Sequence, residues 1–151
     1  MGVKCVIKGV HVVPMGFVNA FLIEDDDGLT LIDAGFPSKE AAVVAAIRGL
    51  GRSSDQLKHL IFTHGHPDHI GSAAAIVRET GARTYMHPLD IPIAESGVRQ
   101  AAGPNSQLVG LTPNVRFRGF NNSSGSLAIF RRASSRVSNF AADLRPGSSS
   151  K

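Results

Sequence analysis

Apolar and polar positions alternate through the first part of the chain in the way typical of β-strands. Residues 3–13 predict one strand that bends at Gly9. Residues 17–24 and 29–33 predict two further strands, joined by a tight turn at the sequence EDDDG. The three aspartates of this turn are interpreted as turn residues rather than as a cation site, because turns favour Asp for its hydrogen bonds to the backbone.

Helical and extended patterns then follow one another. The sequence DAGFPSKEAAVVAAIRGLG predicts a helix that begins near Pro37 and ends at Gly49. The short apolar run 60–62 predicts a strand inside a covered sheet. A second helix is predicted at about residues 72–80, ending at Gly81, followed by a strand in ARTYMHP and a short helix within residues 89–96.

The composition changes beyond about residue 103. The segments NNSSGS, RRASSRVS and RPGSSSK are rich in Ser, Asn and Arg, and no helix or strand is predicted there. The expected organisation is a partial domain at residues 1–102 and a divergent, poorly ordered Ser/Arg-rich tail at residues 103–151.

Length and composition predict one globular domain. The chain has 151 residues, of which 42% are hydrophobic, and it contains no apolar stretch of the roughly 18 residues that a membrane span requires. Its amino terminus has no secretory pattern, so a cytoplasmic location and no membrane partner are expected. The single cysteine, Cys5, excludes an internal disulfide and is expected to fill core space, so a metal site would need nitrogen and oxygen ligands.

The net charge of +4 does not predict nucleic-acid binding, because the excess lies in the tail. Residues 1–118 hold 11 basic and 11 acidic groups, whereas residues 119–151 hold five basic groups against Asp143 alone. A balanced body provides no field that would steer a polyanion towards it.

The sequence THGHPDHIG carries the strongest chemical signal, since it holds half of the six histidines. Neutral imidazole and carboxylate are ligands that suit Zn²⁺, and also Fe or Mn. On an extended backbone the side chains of His64 and His66 point the same way, with Gly65 permitting a close backbone approach between them. Asp68 and His69 then point elsewhere, towards a second ion or a bound water. The sequence therefore predicts a metal site in the loop after a buried strand.

The other three histidines are interpreted differently. An isolated histidine is more often a core or surface residue than a ligand, and His11, His59 and His87 receive that interpretation.

THGHPDHIGS resembles the HxHxDH signature of the metallo-β-lactamase fold superfamily. LTLIDAG, LKHLIFTHGHPDH and GARTYMHPLD are similar to the segments around that signature, and the resemblance extends from about residue 3 to residue 98. It implies an α/β (α+β) fold, in which this chain supplies the amino-terminal half of an αββα sandwich, followed by an irregular carboxy-terminal tail.

The resemblance also implies a site and a reaction. His64 and His66 would bind a first metal ion, and Asp68 and His69 a second. Asp33 would support the site, although a carboxylate that caps the turn into the first helix is nearly as good an interpretation. One or two zinc ions would lower the pKa of a bound water towards about 7, giving a hydroxide that attacks a small ester, thioester, lactone or amide. Asp68 would act catalytically by moving the proton.

Relatives of this kind contribute further ligands from later segments: a histidine in a Gly-His-Thr-Pro-Gly-like loop, a bridging aspartate and a last histidine. The sequence has no histidine after His87. We therefore expect a truncated or frame-shifted reading frame, with two ligands per ion against the three of a typical catalytic zinc site, and with doubtful activity as this chain.

Two alternatives stay open at this point. The chain could be a non-catalytic metal-binding or interaction module, whose exposed sheet face is covered by another copy in a homo-oligomer. A nuclease-like nucleic-acid binder that uses RRASSR is the weaker alternative, because no aromatic platform accompanies these arginines.

Overall fold

The computed structural model describes residues 3–96 and 115–119. Within them the chain forms a seven-stranded sheet and four α-helices. The strands are β1 (Lys4–Ile7), β2 (Val10–Pro14), β3 (Asn19–Asp25), β4 (Gly28–Ile32), β5 (Leu57–Ile61), β6 (Arg83–Met86) and β7 (Phe117–Gly119). The helices are α1 (Glu40–Gly49), α2 (Pro67–Ile70), α3 (Ala73–Thr80) and α4 (Ile91–Ser96), and a 3₁₀ turn occupies Ser54–Gln56. The α/β class expected from the sequence is confirmed.

The strands lie in the sheet in the same order as in the chain. β1 to β4 pair antiparallel, and β4 to β7 pair parallel. The predicted hairpin at EDDDG is confirmed, since Asp25 pairs with Gly28 across the turn. Gly28 has φ +142°, and a Cβ there would lie 2.5 Å from the carbonyl oxygen of Gln56, so this turn requires glycine.

The prediction of one bent strand over residues 3–13 was wrong, because the chain reverses there. β1 and β2 form an antiparallel hairpin whose turn contains Gly9 at φ +77°. A left-handed glycine allows a tight reversal where the sequence pattern suggested only a bend. Cys5 is exposed on β1 rather than buried in the core, and its Sγ donates to the carbonyl oxygen of Ile7 at 3.2 Å.

The hydrophobic core lies between one face of the sheet and the helices α1 and α3. Leu22, Leu31 and Leu60 occupy paired positions on neighbouring strands, and all three are fully buried. Ile47 of α1 and Ile76 of α3 are fully buried in the same cluster. These contacts pack β4 and β5 in the middle of the sheet, and the candidate site follows these two strands.

Alternate strand positions face the other side of the sheet. Ile23, Ile61 and Tyr85 are buried there within the single chain, although they lie outside the core cluster. Phe21 on this face is 39% exposed. A homo-oligomer that covers this face stays a prediction.

The first helix begins later than predicted, whereas α3 ends where the sequence predicts. α1 begins at Glu40 rather than near Pro37, because Ser38 has φ +65° and so lies outside the helical region. The predicted end of α3 is confirmed: Gly81 follows it in the left-handed conformation typical of a helix terminus.

β7 is an addition to the sequence prediction, which assigned no element beyond residue 103. Phe117–Gly119 pairs parallel with β6, and Phe117 packs edge-on against Phe62 at a ring-centroid distance of 5.5 Å. The rest of the predicted tail lies outside the described residues, so the boundary at residue 102 stays a prediction. In the described part of the chain, none of the helices has both the length and the apolar character needed to cross a bilayer.

Candidate metal centre

The candidate site lies where the parallel strands β4 and β5 end. Asp33 directly follows β4, and its backbone N–H donates to the carbonyl oxygen of Ile61, the last residue of β5, at 2.9 Å. Thr63 follows two residues later, and its N–H donates to Oδ1 of Asp33 at 2.9 Å. The carboxyl ends of parallel strands are where open α/β sheets present their functional groups.

The THGHPDH segment is divided between a loop and a helix. His66 is extended, with φ −78° and ψ 151°, and α2 begins at the next residue, Pro67, whose fixed φ suits the first helical position. Asp68 and His69 therefore lie on the first turn of α2. The change from extended to helical backbone places Asp68 and His69 on a different element from His64 and His66.

The four predicted ligands come together as two pairs of donor atoms. Nε2 of His64 lies 2.9 Å from Nδ1 of His66, and Nε2 of His69 lies 3.4 Å from Oδ2 of Asp68. The ring centroids of His64 and His69 are 4.0 Å apart, so the two pairs are adjacent. The resemblance implies the same two pairs as ligands of two metal ions, and that assignment stays a prediction.

Donor type and spacing fit a divalent cation at each pair. Two ligand atoms that bind one zinc ion at about 2.0–2.2 Å lie at most about 4.4 Å from each other. Both measured separations, 2.9 Å and 3.4 Å, are within that limit. Across residues 3–96 and 115–119, however, no three His, Cys, Asp or Glu side chains are grouped as one ion would require. Each pair thus provides two donors.

Asp33 contacts the cluster rather than a helix end. Its Oδ2 accepts a hydrogen bond from Nδ1 of His69 at 2.8 Å, and its side chain is almost fully buried. The alternative interpretation as a cap for the first helix was wrong, because α1 begins seven residues later and Lys39 is its N-cap. Asp33 has φ +61°, a conformation that costs energy for a residue other than glycine and that often marks functional sites.

Thr63 is the residue that the sequence analysis missed. Its Oγ1 lies 2.9 Å and 3.1 Å from the two carboxylate oxygens of Asp33, 3.1 Å from Nδ1 of His64 and 3.2 Å from Nδ1 of His69. One hydroxyl therefore contacts a carboxylate and two candidate ligands. The only signal in the sequence is its position directly before the first histidine of the motif.

The protonation of His64 suits metal binding. Burial lowers the pKa of the His64 imidazole, and the nearby imidazoles of His69 and His66 lower it further, while the carboxylates of Asp33 and Asp68 oppose this. Metal ions bind neutral imidazole, so a lowered pKa keeps His64 in the binding form over a wider range of pH.

The close backbone approach that the sequence analysis expected at Gly65 occurs at Gly71 instead. A Cβ at Gly65 would lie 3.5 Å from the carbonyl oxygen of Asp90, which is an ordinary contact, so the close approach predicted at Gly65 is absent. The close approach occurs at Gly71, where a Cβ would overlap the backbone of Phe36 and Pro37. Gly71 therefore allows the loop before α1 to pack against the motif.

The other histidines have partners elsewhere. Nε2 of His11 lies 2.8 Å from Oε1 of Glu24, and the His59 ring lies 5.7 Å from that of Tyr85. Nδ1 of His87 accepts the backbone N–H of Leu89 at 3.3 Å.

Comparison with known proteins shows the family of this chain. Residues 13–132 match the sequence profile of the metallo-beta-lactamase superfamily. The chain therefore belongs to the metallo-β-lactamase superfamily, as its signature suggested.

Individual relatives are similar over part of their length. The chain is 37% identical over 70 residues to "Uncharacterized protein YobT" of Bacillus subtilis, and 33% identical over 88 residues to "Probable metallo-hydrolase YflN" of the same organism. These matches cover 46% and 56% of this chain, and 27% and 33% of the relatives. The structure of BJP-1, a subclass B3 metallo-beta-lactamase of Bradyrhizobium japonicum, superposes with a TM-score of 0.68 at 28% identity, over 79% of this chain and 45% of that one. The chain thus spans about a third or less of these two curated relatives.

Proposed function

We propose that this chain is a metal-dependent hydrolase whose described part holds divalent cations, with zinc as the first candidate and Fe or Mn as alternatives. His64 and His66 would hold one ion, and Asp68 and His69 a second. The observation that carries the proposal is that these four side chains form two adjacent pairs of donor atoms. The two atoms lie 2.9 Å from each other in the first pair and 3.4 Å from each other in the second.

A cation held by either of these pairs would lower the pKa of a water bound to it, and so would supply a hydroxide nucleophile near neutral pH. Asp68 would take up the proton during the reaction, since its carboxylate is about one-third exposed beside His69. Asp33 would orient His69 through the 2.8 Å hydrogen bond to Nδ1, as carboxylates commonly do for metal-binding histidines.

The substrate class is proposed from the same chemistry. A water-derived nucleophile next to cationic charge suits attack on a carbonyl carbon, as in a small ester, thioester, lactone or amide. The support is the family membership together with the name of the relative YflN, a probable metallo-hydrolase. A cytoplasmic location stays a prediction from the sequence.

The decisive test combines metal content with hydrolysis. The chain is expressed, stripped with a chelator, titrated with zinc, and assayed on a panel of thioesters and lactones. We expect one or two ions per chain and a hydrolysis rate that depends on zinc. His66→Ala should lower the zinc content and abolish hydrolysis, whereas His87→Ala should change neither, because Nδ1 of His87 is engaged in its own turn. Zinc-independent hydrolysis, or full activity in His66→Ala, would contradict the proposal.

A non-catalytic metal-binding module is the second candidate. It is favoured by the number of donors, because each pair provides two atoms where a catalytic zinc typically has three protein ligands. Retention of zinc after dialysis, with no hydrolysis of any substrate in the panel, would favour this second candidate. If the His87→Ala variant no longer bound zinc, His87 would contribute to the site, for example across an interface between two copies.

A further inference from the structure

We propose that Asp33 and Thr63 act together to hold His64 and His69 as their Nδ1–H tautomers, so that Nε2 of each ring carries the lone pair. Thr63 is then a positioning residue that acts through the rings. The inference deepens the proposed function, because a metal ion needs a ring nitrogen without a proton, but the tautomers themselves can be observed in the metal-free chain.

The argument starts from the single proton of the Thr63 hydroxyl. Oγ1 lies 2.9 Å from Oδ2 and 3.1 Å from Oδ1 of Asp33. A carboxylate accepts hydrogen bonds and has no proton to donate, so the hydroxyl proton must point towards Asp33. The backbone N–H of Thr63 donates to the same carboxylate at 2.9 Å, which holds the two residues in this arrangement.

This arrangement determines which ring nitrogen of His64 carries the proton. Because the Thr63 hydroxyl donates its hydrogen bond to Asp33, Oγ1 can only accept a hydrogen bond from Nδ1 of His64, 3.1 Å away. Nδ1 must therefore carry the ring proton. In the neutral imidazole the other nitrogen, Nε2, then has the lone pair, and this is the atom that faces His66 at 2.9 Å.

The same reasoning applies to His69. Its Nδ1 lies 2.8 Å from Oδ2 of Asp33 and 3.2 Å from Oγ1 of Thr63. Both neighbours accept a proton from the ring, so Nδ1 of His69 is also protonated. Its Nε2 faces Oδ2 of Asp68 at 3.4 Å. One carboxylate and one hydroxyl thus assign a proton position in each donor pair.

The backbone holds the carboxylate in place. Asp33 adopts φ +61°, where its N–H still donates to Ile61 at 2.9 Å. The next N–H, that of Ala34, donates to the carbonyl oxygen of His69 at 2.7 Å, which ties the Asp33 loop to α2. A left-handed aspartate is retained because these bonds fix it, and the result is a carboxylate that reaches both Thr63 and His69.

The first test observes the tautomers directly. Nitrogen NMR of the metal-free chain, labelled at histidine and held in mildly alkaline solution, distinguishes Nδ1–H from Nε2–H for each ring. We expect Nδ1–H for His64 and His69 in the wild-type chain and in Thr63→Ser, which keeps the hydroxyl. Thr63→Val, which has the same shape without the hydroxyl, should allow His64 to populate Nε2–H. An Nε2–H signal from either ring in the wild-type chain, or an unchanged His64 in Thr63→Val, would overturn the inference.

Asp33→Asn provides a second variant should Thr63→Val fold poorly. Asparagine tolerates the left-handed conformation, so the backbone is retained. The backbone N–H of Thr63 still needs an acceptor at the Oδ1 position, so the amide NH2 takes the place of Oδ2 and faces Nδ1 of His69, whose proton should then move to Nε2. Unchanged tautomers of both rings in Asp33→Asn would contradict the inference.

Zinc affinity separates this inference from the proposed function. A tenfold to hundredfold weaker affinity is expected in Thr63→Val, as is typical when an outer partner of a metal ligand is lost, with Thr63→Ser close to the wild type. Equal zinc affinity in Thr63→Val and the wild type would refute the positioning role and leave the proposed function standing. If no variant binds zinc while the NMR result is as expected, the tautomer assignment holds and the proposed function fails.

Discussion

The hydroxyl of Ser72 accepts a hydrogen bond from the backbone N–H of Lys39 at 2.7 Å. Lys39 is the N-cap of α1 and Ser72 is the N-cap of α3, so one side chain joins the starts of two helices. The same hydroxyl donates to the carbonyl oxygen of Phe36 at 2.6 Å. The loop between Asp33 and α1 is thereby fixed against the segment that carries the motif.

Replacing this hydroxyl should destabilise the fold. Ser72→Ala removes a buried hydroxyl, so the Lys39 N–H and the Phe36 carbonyl both lose the hydrogen bond they make with it. We therefore expect the free energy of unfolding to fall by about 1–3 kcal/mol. Urea denaturation measures this change. Ser54→Ala is the matched control and should have little effect, as Ser54 is only half-buried at the start of the 3₁₀ turn. Equal losses in the two variants would show that the Ser72 bonds contribute nothing.

Glycine is required at position 71 and not at position 65. Gly71 has helical φ and ψ, so Gly71→Ala can only be harmful through the overlap of its Cβ with the Phe36–Pro37 backbone. We expect a loss of about 1–3 kcal/mol or more in Gly71→Ala, and a smaller loss in Gly65→Ala, whose Cβ meets its nearest neighbour at 3.5 Å. Thermal unfolding of the two variants side by side checks the order, and the reverse order would refute the packing described for the loop.

Phe117 should be part of the folded core. It is buried and contacts Phe62, the residue directly before Thr63, so Phe117→Ala should cost about 3–5 kcal/mol. Arg118→Ala, at the neighbouring exposed position of β7, should change the free energy of unfolding little. Chemical denaturation of both variants measures the difference. A neutral Phe117→Ala would mean that β7 is not part of the stable sheet.

Glu24 should make stability depend on pH. The hydrogen bond from His11 lowers the pKa of Glu24, with Arg52 adding to it and burial opposing it. Because the pKa of Glu24 is lower in the folded chain than in the unfolded chain, the stabilisation is complete at pH values above the unfolded pKa, about 4.3. It is lost as the pH falls through the lower pKa of the folded chain. Because Glu24 is about one-third exposed, we expect about 0–1 kcal/mol.

The measurement for Glu24 compares two pH profiles. Urea denaturation of the wild type and of Glu24→Gln should differ near pH 7 and converge at strongly acidic pH, where the wild-type carboxyl is protonated. Profiles that stay parallel down to acidic pH would show that the hydrogen bond between Glu24 and His11 does not stabilise the folded chain.

Local spacing was enough to predict much of the candidate site. His64, His66, Asp68 and His69 lie within six positions of one another, so a strand followed by a turn brings them together whatever the rest of the fold does. The contact of Asp33 with His69 spans 36 positions and depends on the parallel pairing of β4 with β5. The sequence alone left the role of Asp33 open for this reason, and only the resemblance placed it near the cluster.

Other features could not be predicted from the sequence for identifiable physical reasons. The reversal at Gly9 depends on which of two accessible φ regions a glycine adopts. β7 has three residues, too few to show a periodicity of two. The role of Thr63 depends on the direction of one hydroxyl, which the residue type does not determine.

Because each strand pairs with its neighbour in the chain, the sheet can grow in one direction as the polypeptide leaves the ribosome. β1 to β4 need only short reversals, so these pairings close quickly and involve few distant contacts. The step from β4 to β5 is the first that must wait for a helical crossover, and it is also the step that delivers Thr63 to Asp33. Assembly of the histidine cluster should therefore coincide with completion of this crossover, so the tautomers of His64 and His69 would report on a step that follows the hairpin pairings.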